Sequence, residues 1–429
     1  MRIDRRRSRY SFSHRTRRRN PLGNVLLYAL VIGVALLVLW QLDSIQQQVD
    51  AVVMGPPTPT PNAVTLASRG QTAYWEGDLN GALLYYGQAS DLNPQDARIQ
   101  LEYIRALIYA SYESRNQDYL AEDALRVAQR TVELNPGDPY AQAGYSLALL
   151  ENDRVNEAAA AAINAVNTMP EWSEAQAYLA LAYLRQFRYQ DALNTANQAV
   201  ALNPNSVDSR RIYALTLAAT GQFTRAINEY ENAIDLHPRL EALYFELAPH
   251  YTFEGNYEAA IQAYDRVLAQ NPRSVKAWAR KCRTLFQQRD DANAEEACEQ
   301  AISLNASSVE AQFNLGRVLY AQSRFAEAIG RFDTCIVLMD AQGWPLDERI
   351  PECFYLQGLA HYSLGDCATA EPLLREALDV DDGDRTRELV LMGLDLCAAG
   401  PLPDTSPADD APPLIGTPTP TAVPGVDIY

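Results

Sequence analysis

Histidine is scarce, with four in a chain of 429 residues. His237, His250 and His361 stand far apart, with no cysteine or carboxylate at metal-ligand spacing, so no metal site is expected. The sequence also lacks an HExxH, a GxSxG and a Walker-type glycine loop, the short patterns that place a metal, a nucleophile or a phosphate. Acids such as Glu295 and Glu296 have no convergent partner and read as solvated surface. Lysine is nearly absent: Lys276 and Lys281 are the only two. Cysteine is missing before Cys282. These absences point away from catalysis and from any cofactor, and turn attention to architecture.

Charge is uneven. The formal net charge is -18, yet residues 1–20 hold nine arginines against Asp4 alone. The rest of the chain is therefore strongly acidic and would repel phosphate, so no nucleic-acid partner is expected. No charged residue falls between Asn20 and Leu42. A helix of this length, at about 1.5 Å per residue, spans about 34 Å, enough for a hydrocarbon core of about 30 Å. Tyr28 and Trp40 suit the two interfaces. The run ends Trp40-Gln41-Leu42-Asp43, without the small residues of a signal-peptide cleavage site. Arginine on one side only predicts a cytoplasmic N-terminus and an extracytoplasmic remainder. The expected organisation is a basic segment (1–20), a single transmembrane helix (21–42), a Pro/Thr-rich linker (43–62), a helical solenoid (63–398) and a disordered Pro/Thr-rich tail (399–429).

The solenoid is announced by proline. Pro136, Pro170, Pro204, Pro238 and Pro272 recur every 34 residues, and each follows a helical pattern. Proline cannot continue a helix, so each marks a turn between units. Twelve residues earlier stands alanine: Ala124, Ala158, Ala192, Ala226 and Ala260, continued by Ala294 and Ala328 where proline is lost. A second small column holds Ala89, Ala165, Ala199, Ala233, Ala301 and Ala377, and Tyr86, Tyr230, Tyr264 and Phe332 recur between the two. Small columns let antiparallel helices approach closely. Nine units are expected, starting near Ala63, Ala97, Pro139, Ser173, Val207, Glu241, Val275, Val309 and Pro351. Pro94 to Pro136 spans 42 residues, which predicts longer helices in unit two. An equal stretch near unit nine contains AQGWPLDERI, read as a loop. Arg385 to Cys397 reads as a capping helix.

This ladder resembles the tetratricopeptide repeat family, whose pattern runs W-x2-L-G-x2-Y, A-x3-F, A, P. Gly70, Ala82, Tyr86, Ala89 and Pro94 match it in unit one, and Leu315, Gly316, Ala328 and Phe332 in unit eight. The resemblance implies an all-α right-handed superhelix in which the first helix of each hairpin lines a concave groove. It also implies a non-catalytic scaffold that binds proteins or peptide segments. The groove positions expected to be exposed are Arg211, Phe245, Lys276, Arg280, Arg283, Phe286, Phe313, Asn314, Arg317 and Tyr320. Relatives that grip a peptide carboxylate use Lys, Asn and Arg. Arg280, Arg283, Asn314 and Arg317 are similar in type but not in column order, so that clamp is not carried over. Arginine and aromatics suit an acidic peptide segment; ion pairs with neighbours such as Glu310 are the alternative.

All six cysteines (Cys282, Cys298, Cys335, Cys353, Cys367, Cys397) fall towards the C-terminal end, none before Cys282. An even number beyond a membrane suggests disulfides. Repeat geometry favours Cys282 with Cys298, Cys335 with Cys353 and Cys367 with Cys397; small buried free thiols are the alternative. A second functional class is a structural, envelope-organising protein tethered through its Pro/Thr-rich tail.

Overall fold

The computed structural model describes residues 26, 28–38, 40–41, 62–112 and 119–399. The chain divides into two parts, 1–61 and 62–429. In the first, residues 28–38 are helical and their side chains exposed. Among the described residues no helix is long and apolar enough to cross a membrane. The expected span 21–42 lies partly outside them. The basic segment 1–20, linker residues 43–61 and tail residues 400–429 lie wholly outside.

Among its described residues, the second part is nine helical hairpins and a closing helix. Unit one pairs α1 (Ala63–Trp75) with α2 (Leu79–Leu92), and unit two pairs α3 (Ala97–Ser111) with α4 (Tyr119–Leu134). Then follow α5 (Pro139–Leu150) and α6 (Val155–Thr168), α7 (Ser173–Arg185) and α8 (Tyr189–Leu202), and α9 (Val207–Ala219) and α10 (Phe223–Leu236). Unit six is α11 (Glu241–Phe253) with α12 (Tyr257–Gln270), unit seven α13 (Val275–Gln287) with α14 (Asp291–Leu304), and unit eight α15 (Val309–Ala321) with α16 (Phe325–Ala341). After a short 3-10 turn, Leu346–Glu348, come α17 (Pro351–Ser363), α18 (Cys367–Val380) and the closing α19 (Asp384–Ala398). In unit two the helices have 15 and 16 residues, against 13 and 14 in unit four, so both helices are longer there.

Local chemistry explains the boundaries. Asp96, Asp138, Ser206, Ser274 and Ser308 each accept a backbone N–H from the first turn of the inner helix that follows, which satisfies donors a helix cannot satisfy itself. A second tie recurs six residues after the proline column. Gln142 donates to the Pro136 carbonyl (2.7 Å), Gln176 to Pro170 (2.9 Å), Arg210 to Pro204 (2.6 Å), Tyr244 to Pro238 (2.8 Å) and Trp278 to Pro272 (3.1 Å). Gln312 keeps the bond to Ala306, which stands where proline is lost (3.0 Å). The turns inside hairpins need a left-handed residue. Gly77, Gly221, Gly255 and Gly365 supply it in some units, and Asp153, Phe187, Arg289 and Ser323 adopt the same positive φ in others.

The alanine columns are the core. Ala82, Ala124, Ala158, Ala192, Ala226, Ala260, Ala294 and Ala328 are fully buried, as are Ala89, Ala165, Ala199, Ala233, Ala301 and Ala377. Within a hairpin, a small residue on the inner helix faces a large one sixteen positions on. A Cβ added to Gly70 would stand 2.8 Å from the Tyr86 ring, one on Gly316 2.6 Å from Phe332, and one on Gly358 2.9 Å from Leu374. Inner helices also pack on each other, α5 on α3 and α7, α9 on α7, and α15 on α13. Three disulfides close the C-terminal third: Cys282–Cys298 within unit seven, Cys335–Cys353 between units eight and nine, and Cys367–Cys397 between α18 and α19, with Cα separations of 5.2, 6.4 and 5.5 Å.

Candidate functional site

The concave surface is built by the inner helices, and its first half is closed. The superhelix completes a turn in which the end of α1 meets the α10–α11 turn. His237 Nε2 lies 3.0 Å from the Tyr74 carbonyl, and its ring stacks on Trp75 at 4.6 Å. Arg239 donates to the Glu76 carbonyl at 3.3 Å. One unit further on, the Lys276 ammonium donates to the Tyr112 carbonyl at the end of α3. These contacts join residues 163 and 164 positions apart.

Closing the turn converts the inner face of units two to six into an interior. Asp208, on α9, is buried there. It accepts hydroxyl hydrogens from Tyr109 (2.6 Å) and Tyr178 (2.5 Å) and pairs with Arg105 Nε at 3.1 Å. Burial alone would raise its pKa, but Arg105, the two hydroxyl bonds and Arg211 hold it below the usual carboxylate range. Arg211 grips Glu246 at 2.6 to 3.0 Å through two nitrogens and lies over the Tyr109 and Tyr112 rings. Tyr112 donates to Glu151 at 2.7 Å. Burial pushes the three tyrosine hydroxyls well up. Buried charges of this kind are costly unless paired and hydrogen-bonded, and here Asp208 is paired with Arg105 and Glu246 with Arg211.

The ten groove candidates divide accordingly. Exposure was expected of all ten, but Arg211, Phe245, Phe286, Asn314 and Tyr320 are buried. Arg211 is consumed by Glu246, a partner 35 residues away that the next hairpin delivers. Asn314 ties α15 to α13 by donating to the Ala279 carbonyl at 3.2 Å. Tyr320 packs edge-on against Phe325, and burial pushes its hydroxyl up to about 12. Phe245 is covered by Lys276 at 4.9 Å and by the Arg280 guanidinium at 5.6 Å. Arg280 also lies 3.8 Å from Glu310, the neighbour anticipated for it.

Arg283, Phe313 and Arg317 remain on the open face of units seven and eight, partly buried. The Arg317 guanidinium is sandwiched by Phe286 at 5.0 Å and Phe313 at 5.4 Å. Neither Arg283 nor Arg317 has an ion-pair partner among the described residues. Burial pulls the Arg317 pKa below arginine's ordinary value. Glu352 opposes this, while Arg283 and Arg385 reinforce it. Tyr355, on α17, is buried, and burial with the charge of Glu352 raises its pKa, against Arg317 and Arg385.

Sequence reasoning singled out Arg211 in the closed half but missed its surroundings: Trp75, Arg105, Asp208, His237 and Glu246 carried no periodic signal. The column of Asp208 holds Glu174, Ala242, Lys276 and Glu310 in neighbouring units, so nothing in the repeat flags it. Arg385 was visible only as part of a capping helix.

Taken together, the architecture defines an all-helical superhelical repeat scaffold suited to protein–protein interaction, a fold that typically carries no catalysis of its own. The tetratricopeptide repeat model matches residues 116–168, 179–241, 245–308 and 283–334, and these matches, with the hairpin geometry, support the tetratricopeptide repeat family. Among solved structures, the human IFIT1 dimer with PPP-AAAA is similar at 17% identity, covering 83% of this chain and 81% of that one, with a TM-score of 0.51. The APC/C hetero-tetramer Cut9–Hcn1 is similar at 15% identity, covering 83% and 82%, with a TM-score of 0.48. Yeast Tom70 is similar at 12% identity, covering 87% and 96%, with a TM-score of 0.48. At these identities the likeness concerns fold. No curated protein matches the chain by sequence.

Proposed function

We propose that this protein is a non-catalytic, membrane-anchored scaffold that binds acidic peptide segments of partner proteins on the concave face of units seven to nine. The observation that carries the reading is Arg317, over the rings of Phe286 and Phe313, with no carboxylate paired to it or to Arg283 among the described residues. A guanidinium held on aromatic faces keeps its donors directed outward, which suits a carboxylate-bearing segment with apolar neighbours. The surrounding protein is acidic, so this patch is an exception to the field around it. Units two to six contribute stiffness instead, because their inner face is filled by their own side chains.

Anchoring rests on the uncharged run Asn20–Leu42 and the arginines before it; arginine on that side only favours a cytoplasmic N-terminus and a solenoid beyond the membrane. Three disulfides accord with an oxidising compartment.

Two measurements test the reading. Titration of the full chain with short acidic-aromatic peptides and their basic counterparts should show saturable binding of the acidic set only. Charge reversal at Arg283→Glu with Arg317→Glu should abolish it; unchanged binding removes the groove. Protease accessibility on intact cells should show the solenoid cleaved from outside, and protection there would reverse the topology.

A further inference from the structure

The three disulfides are not equally sheltered. Cys282, Cys298, Cys335 and Cys353 are fully buried, whereas Cys397 is 9% exposed and Cys367 is partly exposed. Their surroundings differ in the same direction. The first two bonds share one apolar core with Phe332, Met339 and Phe354, which are themselves fully buried. Cys367 and Cys397 belong to a small separate cluster with Tyr362, Ala370 and Leu396. A thiolate breaks a disulfide only by reaching one of its sulfurs. For the first two bonds that requires opening the core; for the third, a local opening at the end of the solenoid is enough.

What the third bond holds is also distinct. The closing helix α19 packs on α17 and α18. Its start is tied down by polar contacts. The Thr386 hydroxyl and the Gly383 N–H (3.0 Å) both donate to the Asp381 carboxylate, and Arg387 lies 3.8 Å from Asp382. Beyond Arg387, no side chain of α19 makes a hydrogen bond or ion pair among the described residues. The buried residues there are Leu389, Val390, Gly393 and Cys397, with Met392 and Leu394 partly buried. A Cβ added to Gly393 would stand 3.0 Å from the side chains of Leu359 and Leu374. The helix thus lies close on both neighbours while contributing no side chain at the point of nearest approach. Besides the disulfide, apolar packing alone offsets the cost of ordering this stretch.

We infer that Cys367–Cys397 is a redox latch on the closing helix: a dithiol reduces this bond while the other two stay closed, and α19 beyond Arg387 then comes away from α17 and α18. One thiolate of the dithiol attacks a sulfur of the pair. A mixed disulfide forms as the Cys367–Cys397 bond breaks, and the other cysteine leaves as a thiolate. The second sulfur of the dithiol then displaces the cysteine still bound. The dithiol ends as a disulfide, having given up two electrons, and its two protons end on the cysteine thiols. Release uncovers apolar side chains that α19 now lies against, Leu359 and Leu374 among them. The latch is separate from the acidic-peptide reading, because none of its residues belongs to the face formed by Arg283, Phe313 and Arg317.

The test treats the full chain, under native conditions, with dithiothreitol for increasing times. Each sample is quenched with an alkylating agent and mapped by peptide mass spectrometry. Cys367 and Cys397 should be alkylated at least about tenfold faster than the other four cysteines, because only their bond is reached without opening the core. Equal rates, or earlier loss of either other bond, overturn the latch. Hydrogen exchange on the partly reduced chain should then accelerate over residues 388–398 and stay unchanged in α13 to α16. The variant C367S/C397S should show the same pattern without any reductant. Slow exchange over 388–398 in the reduced native chain overturns the release of α19, whatever the variant does.

Discussion

Cys282 and Cys298 are bonded across unit seven at the place where Gly316 packs against Phe332 in unit eight. The two devices solve one problem, closing an inner helix on its outer partner, by a covalent bond in one hairpin and by a ring seated on a bare backbone in the next. Cross-linking 16 residues apart is worth about 3 kcal/mol on a loop-entropy model. Cys282→Ser with Cys298→Ser should therefore cost about 2–4 kcal/mol in denaturant unfolding. Cys282→Gly with Cys298→Phe, which imports the neighbouring solution, should recover part of that loss. Equal stabilities of the two double variants would show that the hairpins are not interchangeable at this place.

Arg105 and Asp208 form a buried pair in the closed half of the superhelix. Asp208→Ala leaves a guanidinium without its carboxylate and should destabilise by about 3–5 kcal/mol. The folded-state pKa of Asp208 is lowered, so its contribution is present above the unfolded carboxylate value and is lost as pH falls through the folded one. The native chain should thus lose more stability than the alanine variant does as pH falls below about 4, the unfolded carboxylate value. Parallel pH–stability curves for the two would remove Asp208 from this role.

Trp75 and His237 clasp unit one to the junction of units five and six. Burial lowers the His237 pKa, against the bond to the Tyr74 carbonyl, and burial likewise lowers His250 to about 4. A depressed histidine stabilises the fold above its unfolded value, near 6.5, and ceases to do so as pH falls towards the folded one. Amide exchange in α1 and α2, corrected for intrinsic rates, should accelerate from pH 7 to pH 5. Trp75→Ala should produce the same acceleration at pH 7 and leave units seven to nine unchanged. Exchange that rises uniformly along the chain would deny the clasp a local role.

Phe187 holds a φ of 59° in the turn where other hairpins use glycine, and it is 75% exposed. A left-handed conformation costs a β-carbon-bearing residue about 1–2 kcal/mol, part of which glycine returns through its greater freedom in the unfolded chain. Phe187→Gly should raise stability by about 0.5–1 kcal/mol, measurable as a shift of the thermal midpoint. Gly221→Ala, the reverse change at the equivalent place, should lower it. A destabilised Phe187→Gly would mean that the Tyr189 ring contact outweighs the strain.

The hairpins were legible because their grammar is local. Proline ends a helix wherever it falls, and Ala158 or Ala226 is small in any context. The superhelical turn was not legible, because its pitch is the sum of small rotations between hairpins, none of which leaves a mark at one residue. Arg211 shows the consequence: a register built on one hairpin places it in the open, and only the arrival of Glu246 on the next inner helix covers it. The ties from Gln142, Gln176 and Gln312 lay in plain view at the repeat spacing. Arg210, Tyr244 and Trp278 concealed the column, since it is defined by a donor at the right reach and not by one residue type. On the open face, Arg283, Phe313 and Arg317 follow from register alone, because each lies on an inner helix at a position the repeat period predicts.

The clasp also decides how the solenoid would bear a load. A pull entering at Asn62 passes through α1 and can cross the Tyr74–His237 contact directly into unit five. Hairpins two to four then lie on a slack side branch, shielded until the clasp parts. Beyond that point the disulfides of units seven to nine limit extension. Under tension the protein would behave as a short stiff spring with one brittle link, and not as a uniform coil.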